Sequence, residues 1–92
     1  MIHIVSENAM WRWRSVRTLR ALGLNARMEC GSSRNSQMRY ALVCLASYVV
    51  IGGEVPGTVW VKNMETGEKG KYPSETVFAL PFWQRRGEVK PA

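Results

Sequence analysis

Apolar and polar positions fall into a short series of distinct patterns along the chain. Residues 1–5, MIHIV, are β-branched with weak alternation, which predicts a short strand over 2–5. Ser6 with Glu7 beside it predicts a helix cap, and the segment AMWRWRSVRTLRAL continues as a first helix that ends at Gly23. LNARMEC, residues 24–30, fits either a loop or a short extended piece. A second helix is expected from Ser33 or Ser36 through Ile51, where Gly52 and Gly53 stop it. EVPG then reads as a turn and TVWVK as a strand. NMETGEKG reads as a hairpin turn with Gly67 available for positive φ, and KYP as the returning strand. SETVFAL predicts a short helix ended by Pro81, and QRRGEVKPA a mobile polar tail with nothing to bury.

These elements describe an α+β fold: a small single domain over residues 1–83, with two main helices packed on a short antiparallel sheet. The sheet combines the N-terminal strand with the C-terminal hairpin, and residues 84–92 form the polar C-terminal tail.

The two helices differ in kind. At about 100° per residue, Trp11, Val16, Leu19 and Leu22 share one arc of the first, joined by Ser15 and an intruding Arg12. The opposite arc carries Met10, Trp13, Arg14, Arg17, Arg20 and Ala21. Trp13 and Arg17 are four apart, close enough for a guanidinium to lie over an indole. Phosphate backbones and unstacked bases meet that combination in binding grooves, and a solvated helix face with one sealing tryptophan looks the same. The second helix is apolar almost all round, so it is either covered completely by the rest of the domain or pairs with a second copy as a homodimer. In the hairpin, Val59 and Val61 share one face while Trp60 and Lys62 share the other. Trp60 is expected to pack against Phe78 or Trp83; exposed, it would make the hairpin a second contact surface.

Charge sharpens this picture. The chain has 92 residues, 46% of them hydrophobic, and a formal charge of +6, a balance that favours an anionic partner. Residues 1–53 contain seven arginines, two glutamates and no lysine, whereas residues 54–92 hold six cations against five glutamates. A GC-rich genome would account for arginine over lysine, but not for the clustering. Arginine offers the rigid donor fork that suits phosphate.

The stretch CGSSRNSQMR, residues 30–39, stands where the second helix begins and carries Arg34 and Arg39 at a pole that favours acidic residues. An anion held by the free amides, Ser33, Ser36 and the two arginines would reconcile them. Glu29 could instead neutralise Arg34, or the arginines could face water. The segment has no Gly-Lys-Ser/Thr phosphate loop, and position 36, where a phosphatase-like cysteine motif needs arginine, is Ser36.

Catalytic chemistry is thinly represented. There is no aspartate, the glutamates are scattered, and His3 has no evident acidic orienter. Cys30 and Cys44 with one histidine make neither a disulfide framework nor a zinc site, so neither a metal nor a cofactor is expected. The longest apolar segment, 40–51, is too short to span a bilayer. A reducing, cytoplasmic setting fits, and no secretory signal is visible.

The expectation is therefore a non-enzymatic basic protein that binds nucleic acid, DNA or RNA, through arginine–phosphate contacts. Its expected binding residues are Trp13, Arg14, Arg17, Arg20, Ser33, Arg34, Ser36 and Arg39. The alternative is a phage-type accessory or inhibitor protein, anti-CRISPR-like, that blocks a host protein or nucleoprotein complex without itself binding nucleic acid. Trp and Arg are enriched in such interfaces. A peripheral membrane helix is a third reading, weakened by Arg12 inside the apolar arc.

Overall fold

The computed structural model describes residues 1–29 and 33–89. Its elements are β1 (Ile2–Val5), α1 (Ala9–Ala21), β2 (Ala26–Met28), α2 (Arg34–Val43), β3 (Tyr48–Ile51), β4 (Thr58–Asn63), β5 (Lys69–Pro73), α3 (Ser74–Val77) and α4 (Leu80–Gln84). The five strands form one mixed sheet in the order β2-β1-β3-β4-β5. The α+β class holds, but the sheet is larger than expected. β1 pairs in parallel with both β2 and β3, and antiparallel pairing is confined to β3–β4 and β4–β5.

The chain leaves β1 for β2 on one side and returns past it to β3 on the other. Right-handed crossovers in opposite directions put the two connecting helices on opposite faces. On one face α1, α3 and α4 bury Val16, Leu19, Val77, Phe82 and Trp83 against Ile2, Ile4, Val50, Val59 and Val61. On the other, α2 buries Ala41 against Val5, Val49 and Ile51. β1 lies between them and is buried along its whole length.

Several expected boundaries move. The cap of α1 is Asn8, whose side chain accepts from the Trp11 amide at 3.0 Å. Ser6 is buried in the preceding turn, where its amide donates to the Gln37 side chain. Arg12, out of place on the apolar arc, is buried and donates to the Ser6 carbonyl at 2.8 Å, tying the helix to the end of β1. Helix α1 ends as expected: Gly23 takes φ +84° while Gly23 and Leu24 amides close onto Arg20 and Leu19, a Schellman motif.

The second helix does not run to Ile51. It stops at Val43, and residues 48–51 form β3. The Leu45 amide bonds to Leu42 and that of Ala46 to Ala41, the same Schellman closure, but here Leu45 takes the left-handed position at φ +56°. The β-branched run that follows is buried on both faces of a sheet, which leaves no alternation to mark it as a strand. The apolar second helix is thus two elements, a helix with Tyr40, Leu42 and Val43 exposed and a buried strand.

The hairpin 58–73 forms, with Gly67 at φ +80°, but its turn is shorter than expected: β4 reaches Asn63 and β5 begins at Lys69. Trp60, however, meets neither Phe78 nor Trp83. Those rings lie on the α1 face, Phe78 against Trp11 and Trp83 against Tyr48, while Trp60 alternates with buried Val59 and Val61 and is 40% exposed. Pro81 does not end a helix; it lies in the first turn of α4, where its missing N–H leaves no bond unmade. Residues 84–89 do not trail away. The Glu88 carboxylate lies 3.2 Å from the N-terminal amine, and Val89 bridges to Leu24. Residues 90–92 of the expected tail lie outside the described residues.

Candidate nucleic-acid interface

The outward side of α1 meets edge strand β2 and the middle of α2. Trp13, Arg17 and Arg20 project from α1 at helical spacing, and the Arg17 guanidinium lies over the Trp13 ring, 4.8 Å from its centroid. Arg20 is positioned by a bond from its Nε to the Ala26 carbonyl at 2.9 Å, which leaves its terminal nitrogens available. Strand β2 alternates, so Ala26 is buried while Arg27 is exposed. These groups, with Met28 and with Tyr40 from α2, line a groove of about 350 Å³. No carboxylate lines it, and three guanidiniums and two aromatic rings converge there.

Tyr40 links the groove to the interior. Its ring is 5.7 Å from that of His3, which is wholly buried in β1. A hydrogen bond with the Cys44 side chain, one turn on, pushes the exposed phenol above its ordinary range. Burial pushes His3 below its ordinary value, partly opposed by Glu29. Neither ring nitrogen of His3 has a hydrogen-bond partner among the described residues. Among the described residues no three His, Cys or acidic side chains gather as a metal site. No helix of the described residues is long and apolar enough to cross a membrane.

The residues expected at the start of α2 stand apart from this groove. Ser33 is the N-cap, accepting from the Ser36 amide at 3.3 Å. Arg34 pairs with Glu54, not Glu29, at 3.1 Å, and lines a small cavity with Trp60 and Lys71 on the β4 flank of α2. Cys30, Gly31 and Ser32 of the same stretch lie outside the described residues. Arg14 and Arg39 are exposed and line neither cavity. So Trp13, Arg17 and Arg20 are brought together, and Arg34 is held elsewhere. Arg27 and Tyr40 join the groove in addition to the residues expected from the sequence. Alternation in ARM held a signal for Arg27, whereas Tyr40 reaches the groove only through tertiary packing.

No family model and no curated protein sequence matches the chain. Among solved structures, apo histidyl-tRNA synthetase from S. aureus is similar, with a TM-score of 0.73 at 21% identity. The similarity covers 84% of this chain and 25% of that one. The chain thus spans about a quarter of that protein's length, and the likeness is one of fold.

Proposed function

We propose that the chain is a non-enzymatic RNA-binding domain that holds phosphates in the groove between α1, β2 and α2. The observation that carries this reading is the convergence of Arg17, Arg20 and Arg27 on one groove with no lining carboxylate. Guanidinium forks bind phosphate oxygens in two-point fashion, and Trp13 and Tyr40 offer flat rings to unpaired bases. The structural neighbour is named for tRNA, which makes RNA the first nucleic acid to test.

Fluorescence anisotropy of a labelled RNA stem-loop, with DNA of the same sequence beside it, tests the proposal. Affinity should fall steeply with salt, each lost phosphate contact lowering the log–log slope by about 0.7–0.9. The triple variant Arg17→Ala/Arg20→Ala/Arg27→Ala should bind at least about tenfold more weakly. Absence of binding at low salt sinks the reading.

A second reading, a protein partner, rests on α2. Leu42, Val43 and Leu45 are 61%, 78% and 85% exposed, and Leu45 holds a left-handed backbone where glycine is favoured. A homodimer, or a host protein bound by an accessory or inhibitor protein, would use this surface. Light scattering on wild type and Leu45→Asp tests the homodimer: a monomeric mass for both excludes it.

A further inference from the structure

On the α2 side of the sheet, cover is uneven. Helix α2 packs over β1 and buries Val49 and Ile51 of β3, while β4 and β5 lie beyond it in the strand order. Four side chains face outward on this uncovered end. Trp60 pairs across the ladder with Lys71, and Lys62 with Lys69, so they form a rectangle whose sides are set by strand spacing and the two-residue repeat. Trp60, Lys69 and Lys71 are exposed and Lys62 is half-buried. The neighbouring Val59 and Val61 point into the core on the opposite face.

Two features of the rectangle point to an anionic ligand. Lys62 and Lys69 stand directly opposite each other, an arrangement that destabilises an antiparallel pair. None of the three lysines takes part in an ion pair among the described residues, where the pairs are Met1–Glu88 and Arg34–Glu54. In addition, the Lys69 ammonium rests over the Trp60 ring, 4.9 Å from its centroid. The ring face is therefore accessible to a cation, and by the same geometry to a flat base. Lys71 borders the small cavity beside the indole, where Arg34 is already paired with Glu54, so the free positive charge of this surface is that of the three lysines.

We propose that this platform binds a single-stranded RNA segment, one unpaired base stacking on Trp60 while Lys62, Lys69 and Lys71 hold the flanking phosphates. An indole face is reached only by a base that has left its duplex, which selects single strand over double. The base displaces the Lys69 ammonium from the ring, and the ammonium moves to a phosphate. This inference rests on the RNA reading above but uses a surface separate from the α1–β2 groove.

The test measures anisotropy of a labelled oligouridylate and of the same strand in an RNA duplex. Wild type is compared with Trp60→Ala, Trp60→Phe, the triple Lys62→Gln/Lys69→Gln/Lys71→Gln, and the groove triple at Arg17, Arg20 and Arg27. Trp60→Ala should weaken oligouridylate binding about tenfold or more while Trp60→Phe keeps most of it. The lysine triple should lower the salt slope by about 2, and duplex binding should be indifferent to Trp60. Thermal melts confirm that each variant folds. If RNA binding depends on the groove arginines but not on Trp60 or the lysines, the platform falls and the groove reading stands. If wild type binds neither RNA at low salt, both fall.

Discussion

Arg34 Nη1 lies 3.1 Å from Glu54 Oε1, joining the first turn of α2 to the loop after β3. This contact supplies the negative partner that an arginine at a helix N-terminus requires, and it does so from 20 residues along the chain. Both side chains are partly exposed, so the pair contributes little to stability, under about 1 kcal/mol. It does neutralise a cation beside Trp60 and Lys71. Glu54→Gln is therefore expected to leave the urea midpoint almost unchanged and to tighten RNA binding about two- to fivefold. Anisotropy and urea titration on the same preparation check both halves.

The two Schellman closures make an internal comparison. Gly23 fills the left-handed position after α1, and Leu45 fills it after α2. A side chain in that conformation costs about 1–2 kcal/mol, part of which glycine loses again through its freer unfolded chain. Leu45 is 85% exposed and has little burial to lose. Leu45→Gly should raise stability by about 0.5–1 kcal/mol, seen as a higher urea midpoint with an unchanged slope.

His3 makes stability depend on pH. Its folded pKa lies below the ordinary 6.5 because burial disfavours the charged ring. The unfolded chain then binds a proton that the folded one does not, so stability is complete above about pH 6.5 and declines as pH falls below it. His3→Leu removes that proton uptake. Urea midpoints at about pH 7.5 and about pH 5 should drop further for wild type than for the variant; equal drops would contradict the assignment.

Gly52 carries the close approach of α1 to the sheet. A Cβ there would stand 2.7 Å from the Trp11 ring and 2.8 Å from Val59, neither of which can withdraw without disturbing the core. Gly52→Ala should cost about 1–3 kcal/mol, as overpacking does. Calorimetry on the variant and on Gly52→Ala/Trp11→Leu checks the cause, because the smaller residue should recover part of the loss.

Local signals in the chain determined the elements whose chemistry is local. Strand β1 was legible from its β-branched residues, the end of α1 from Gly23, and the 58–73 hairpin from Thr-Val-Trp-Val alternation and Gly67. Each depends on contacts within a few residues, and each formed, the hairpin with a turn shorter than expected. The division of residues 40–51 into a helix end and a strand was not legible. Its turn uses Leu45 where glycine would have marked it, and a strand buried on both faces shows an unbroken apolar run. Only pairing with β1 and β4 selects the extended form.

The same limit governs the candidate site. The sequence placed Trp13, Arg17 and Arg20 on one side of α1 because helical periodicity is a local property. The parallel pairing of β2 with β1 brought Arg27 to that side. The fold of α2 across the opposite face brought Tyr40 there and moved Arg34 to Glu54. It also left Trp60 and three lysines uncovered, because a helix packed over β1 and β3 leaves β4 and β5 open. Which residues share a surface depends on strand order and crossover direction, and those are settled by contacts between segments far apart in the chain.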